Sequence, residues 1–150
     1  MTVITQGQIP LPPLFNEAKN LVVDELHRRL EERGFGDIRS VHGCVFRFVP
    51  GDGMRLTTLA DRAGLTKQAV GEIVDELQVA GYVDRLPDPA DKRAKLIHLT
   101  PHGKACQAAA LEIFLEIEAE WAERFGQERV AAMREVLEGI VLGGQAKLAA

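Results

Sequence analysis

Two short stretches concentrate side chains whose type and spacing suit recognition of a charged, hydrogen-bonding surface. The first is Thr66, Lys67, Gln68, Gly71 and Glu72. A primary amide such as Gln68 can pair bidentately with adenine, and Lys67 can reach a phosphate or guanine. Glu72 can accept from the amino group of cytosine or pair with a local arginine such as Arg62. Gly71 would let a helix approach its target closely, at a cost of about 1 kcal/mol in helix propensity. The second stretch is LPDPADKRAKLIHLTPHG, residues 86–103, which carries Asp91, Lys92, Arg93 and Lys95. It reads as two apolar segments, Tyr82–Leu86 and Lys95–Leu99, joined by a long loop, Pro87–Arg93. That loop would carry its cations at its far end.

These residues need elements to hold them. Thr66 can cap a helix over 66–80, whose apolar residues Val70, Ile73, Val74 and Leu77 fall at i, i+3, i+4 and i+7. Gly81 ends it. Before it, a short helix over 58–63, capped by Thr57, stops at Gly64. Two short helices about a tight glycine turn make a helix-turn-helix. The apolar face points inward, so Thr66, Lys67, Gln68 and Gly71 are left on the exposed start. Upstream, Pro10, Pro12 and Pro13 predict an extended arm. Leu14–Arg33 predicts a helix, as does 38–48. Downstream, Pro101 suits the first position of a long helix to Phe125, and Gly126 separates it from a last helix. These two helices are apolar over more than one stripe, and self-association is the simplest way for a chain this small to cover them.

This order of elements, with LTTLADRAGLTKQAVGEIVDELQVAGYVDR followed by DPADKRAKLIHLTPHG, resembles the MarR family of winged helix-turn-helix regulators. Asp88, Asp91, Arg93, Ile97, Leu99, Thr100 and Gly103 match that family's wing pattern. The resemblance implies a mainly α fold with a minor β part. A winged helix-turn-helix lobe (38–99) would be flanked by dimerisation helices (14–33 and 100–143), all within one domain, 1–150. It also implies a homodimer that binds double-stranded DNA at a pseudo-palindrome. The 66–80 helix would lie in the major groove and the 87–93 wing in the minor groove, with Arg93 entering and Asp91 holding the loop. Repression relieved by a small aromatic or anionic effector would follow, with His42, Phe46 and Arg47 as pocket lining. Cys44 and Cys106 are the candidates for thiol-based redox sensing, which some relatives use. A winged helix serving only protein–protein contact is the alternative from outside DNA binding.

Composition and charge bound these readings. Residues 55–95 carry seven basic and seven acidic side chains, whereas 96–150 carry five and eight, so contact with a polyanion belongs to the middle third. The net charge of −4 argues against indiscriminate coating of nucleic acid. No phosphate-binding glycine loop, nucleophile elbow or HExxH metal motif is present, so no enzyme is expected and no cofactor. His98 and His102 straddle a strand–helix boundary and predict no metal site. Two cysteines and no membrane-spanning or signal-like segment place the chain in the cytoplasm as an expectation.

Overall fold

The computed structural model describes residues 8–149, with side chains through Gly144. Helix α1 spans Leu11–Glu32, starting inside the proline stretch expected to be extended. The Leu14 N–H donates to the Pro10 carbonyl at 3.1 Å, so Pro12 and Pro13 occupy the first turn. Donors there have no intrahelical acceptor, and their absence does not disturb the helix. Residues 1–7 of the expected arm lie outside the described residues.

The helix expected over 38–48 is shorter. Ser40–His42 forms one 3-10 turn and α2 covers Gly43–Phe48. Arg39 is extended (φ −109, ψ 162), and its N–H goes to His42 Nδ1 at 3.0 Å. A side chain that takes a backbone donor in this way delays the helix. Helix α3 is Leu56–Ala63 and α4 is Lys67–Val79. Thr57 is not the α3 cap. Met54 is paired with Ile97 through two backbone hydrogen bonds, which keeps the chain extended as far as Arg55, so the helix begins at Leu56. Gly64 takes the left-handed conformation (φ 67) that turns α3 into α4. Thr66 caps α4 as expected, its Oγ1 accepting from the Ala69 N–H at 3.1 Å. Val70, Ile73, Val74 and Leu77 are buried together with Val45, Leu59, Tyr82, Val83 and Ile97.

The hairpin departs most from expectation. Strand β1 runs Val83–Asp88 and antiparallel β2 runs Asp91–Leu99, so Pro87–Arg93 is not a seven-residue loop. Only Pro89 and Ala90 turn. Asp88 Oδ1 accepts the Ala90 N–H at 2.8 Å, closing the turn with a side chain in place of further backbone. The register jumps from Pro87 opposite Lys95 to Asp88 opposite Asp91. Lys92, Arg93 and Ala94 therefore bulge from β2 with no residue opposite them. Pro87 sits at this irregularity, where a missing ladder donor is tolerated.

Helix α5, Pro101–Phe125, is capped by Thr100, whose Oγ1 accepts from the Gly103 N–H at 3.1 Å and donates to the Gly81 carbonyl at 2.6 Å. A Cβ on Gly103 would lie 2.1 Å from the Tyr82 carbonyl oxygen, so only glycine lets α5 start against that strand. Two compact units divide at Leu111 and Glu112, within α5. In the second unit, Gly126 separates α5 from α6, Gln127–Ala149, and an Arg134–Glu118 ion pair joins the two helices. Along α6, Met133, Val136, Leu137, Ile140 and Val141 form an exposed apolar stripe at i, i+3, i+4, i+7 and i+8.

Candidate nucleic-acid interface

Helix α4 has two chemically different halves. In its first half Lys67, Gln68 and Glu72 are exposed, as is the capping Thr66, and Gly71 is half-buried. Among the described residues none of the Lys67, Gln68 or Glu72 side chains has a hydrogen-bond or ion-pair partner. Glu72 does not pair with Arg62. The space a Gly71 Cβ would take is open. The start of the helix is thus a bare polar surface next to unpaired N–H groups and the positive end of the helix dipole.

The second half is tied down. Arg85 of β1 pairs with Asp75 at 2.7 Å and donates to Gln78 Oε1 at 2.6 Å. Glu76 Oε2 accepts from Arg39 Nη2 at 2.5 Å and from His42 Nε2 at 2.8 Å. His42 is buried. Its Nδ1 is occupied as acceptor of the Arg39 N–H, so Nε2 carries the proton donated to Glu76. The His42 and Arg39 hydrogen bonds hold the Glu76 carboxyl below its ordinary pKa. Two of the three acidic side chains of α4 are thereby neutralised by neighbours, and only Glu72 stands free. The pairings of Asp75 and Glu76 could not be read from spacing, because their partners lie 10 and 37 residues away.

In the wing, Asp91, Lys92, Arg93 and Lys95 are exposed. Asp91 Oδ1 accepts the backbone N–H of Arg93 at 3.0 Å. The Lys92, Arg93 and Lys95 side chains have no partner among the described residues. Asp88, matched in the sequence but given no role, is the buried acid here. Its Oδ2 takes both Nε and Nη2 of Arg55, at 3.0 and 2.7 Å. The Ala90 N–H, then Arg55, lower the Asp88 pKa.

The other candidates do not converge. His42 faces α4, Phe46 packs edge-on against Tyr82, and Arg47 lies over its neighbour Phe48. An open cleft of about 670 Å³ lies elsewhere, lined by Lys19, Val23, Asp24 and His27 of α1 and by Arg39 and Val41. Burial raises the Cys44 thiol pKa and pushes Cys106 up to about 11, so neither has thiolate character at neutral pH. His98 rests against Gly53 and His102 stacks on Tyr82, at 4.4 Å between ring centroids. Among the described residues there is no group of three or more potential metal ligands, and no helix is long and apolar enough to cross a membrane.

A profile of the MarR family matches residues 44–94, which run from α2 through the wing bulge. The transcriptional regulator HosA of Escherichia coli O111:H- is 33% identical over 76 residues, 51% of this chain and 56% of that protein. The multiple antibiotic resistance protein MarR of Salmonella typhimurium is 31% identical over 74 residues, 49% of this chain and 51% of that protein. The aligned part spans about half the length of these curated relatives. Over this segment the chain is similar to the MarR family of regulators.

The MarR fold extends beyond the aligned segment. The reduced form of MarR from E. coli superposes with a TM-score of 0.75 at 22% identity, covering 89% of this chain and 98% of that one. A mutant of MepR from S. aureus, bound to an oligodeoxyribonucleotide, gives 0.61 at 22% identity over 91% and 99%. Each residue of the MarR wing pattern has a local reason in this chain. Asp88 takes Arg55, and Asp91 takes the Arg93 N–H. Ile97 and Leu99 are core, Thr100 caps α5, and Gly103 admits the Tyr82 carbonyl.

Proposed function

We propose that this chain is a sequence-specific, dimeric DNA-binding transcription regulator. The observation that carries this reading is the bare start of α4. Lys67, Gln68 and Gly71 lie open, while the acids of the following turn are neutralised by Arg85, Arg39 and His42. The first half of α4 would enter the major groove, with Gln68 and Lys67 at base edges or phosphates. Lys92 and Arg93 would follow the adjacent backbone, and Arg93 would insert into a narrow minor groove. Residues 38–99 form the DNA-binding lobe in this account. Residues 14–33 and 100–143 supply dimerisation, which would cover the apolar stripe on α6. Two-fold symmetry then makes the target a pseudo-palindrome.

The regulator would act as a repressor, as its resemblance to the MarR family implies. A small anionic effector would relieve it from the cleft beside Lys19, His27 and Arg39, not from the His42, Phe46 and Arg47 set. Selection from random DNA with the purified protein tests the central reading. A pseudo-palindromic consensus is expected, with affinity falling steeply as salt rises. Arg93→Ala should weaken binding to that consensus by about 1 kcal/mol or more and flatten its salt dependence. No enrichment over random sequence would contradict the reading.

A further inference from the structure

We propose that Arg55 is a positioning residue that sets the wing for groove entry, acting on DNA through Arg93 without touching DNA itself. The inference rests on the DNA-binding reading above. The bulged residues Lys92, Arg93 and Ala94 have no partner across the ladder, so strand pairing does not fix the part of the wing that carries its cations. Side chains fix it instead. Asp88 closes the turn through the Ala90 N–H, and Asp91 holds the Arg93 N–H. Arg55 lies between the two acids, with Nη2 2.7 Å from Asp88 and 3.9 Å from Asp91.

Arg55 is itself held from the other side. Met54 is hydrogen-bonded to Ile97 of β2, and Arg55 is the residue from which α3 starts. One guanidinium therefore ties the wing tip to the first helix of the helix-turn-helix, the lobe that presents α4. Without it, the Asp88 side chain, only 10% exposed, keeps one N–H donor. A carboxylate so placed turns toward water, which opens the turn. Arg93 then samples many orientations, and its entry into a groove costs the ordering that the clamp had provided beforehand.

The test is a double-mutant cycle on the full chain, read by binding to the selected DNA across a salt series, with thermal unfolding of each variant. Arg55→Ala is expected to weaken binding about tenfold and to lower the salt slope as Arg93→Ala does. Arg55→Ala/Arg93→Ala should bind no worse than Arg93→Ala alone, although the melting point still falls on loss of Arg55. Asp88→Asn keeps the size and the acceptor for Ala90 while discharging the clamp. It should show the same non-additivity, and it serves if Arg55→Ala fails to fold. Full additivity of Arg55→Ala and Arg93→Ala would mean that Arg55 contacts DNA itself, which overturns the proposal. If Arg93→Ala weakens binding and neither Arg55→Ala nor Asp88→Asn does, the proposal alone falls. If Arg93→Ala has no effect, the wing reading falls and takes the proposal with it.

Discussion

The two halves of α4 are adjacent turns of one helix, yet the chain treats them in opposite ways. From Lys67 to Glu72 the polar side chains are left without partners among the described residues. From Asp75 to Gln78 they are bound to Arg39, to His42 of the 3-10 turn and to Arg85 of β1. A helix that only stabilised the fold would gain nothing from leaving one half bare. In the proposed reading, the second half fixes the helix in the lobe and leaves the first free to meet DNA. Fixing the helix from its C-terminal half also removes two negative charges from a surface proposed to approach phosphates.

The comparison can be broken most sharply with one substitution in each half. Leu77→Ala, in the core under the bound half, should destabilise the fold by about 2–5 kcal/mol in chemical denaturation. Gln68→Ala should leave stability within about 0.5 kcal/mol and weaken binding to the selected site by about 1–3 kcal/mol. If Gln68→Ala costs stability and spares binding, the halves have been assigned backwards. Gly71→Ala is a finer probe. The site is open in the free protein, so alanine should stabilise the helix by about 1 kcal/mol. It should nevertheless weaken DNA binding, because the added methyl meets the groove. Tighter or equal binding would remove the close approach from the account.

The smallest effect is on acid stability. Glu76 and Asp88 both have folded-state pKa values below their ordinary 4.5 and 3.8. A depressed carboxylate stabilises the fold fully above the unfolded value, and that contribution fades as pH falls through the folded one. Glu76→Gln should therefore lower stability at neutral pH and flatten its decline below about pH 4.5. An unchanged acid profile would mean that Glu76 is not held as its two hydrogen bonds imply.

Much of this architecture is legible in the sequence because its signals are local. The 3.6-residue spacing of Val70, Ile73, Val74 and Leu77, the Thr66 cap and the stops at Gly64 and Gly81 each act within a turn or two. Three expectations failed where hydrogen bonding overrode the pattern, and only the first of these contacts is distant in sequence. Thr57 lost the α3 cap because Ile97 holds Met54 extended. The 38–48 helix was shortened by His42 taking the Arg39 N–H. The apparent loop Pro87–Arg93 folded into strand and bulge because Asp88 closes the turn. Pro12 and Pro13 differ, because proline disrupts a helix interior but not a first turn, which is where both sit. The exposed half of α4 was readable for the same reason it is exposed, as it depends on nothing else in the chain. Arg39, Arg55, Glu76 and Arg85 were not, because their partners are 7–37 residues away and no periodicity links them.

The most direct test of the central claim compares wild type and Gln68→Ala on the selected site and on a scrambled duplex of equal length, across a range of salt. The account predicts that Gln68→Ala loses about 1–3 kcal/mol on the selected site only, with the same salt slope, because an amide reads a base and displaces no counterion. An equal loss on both duplexes, or no loss on either, would show that the bare half of α4 does not read sequence.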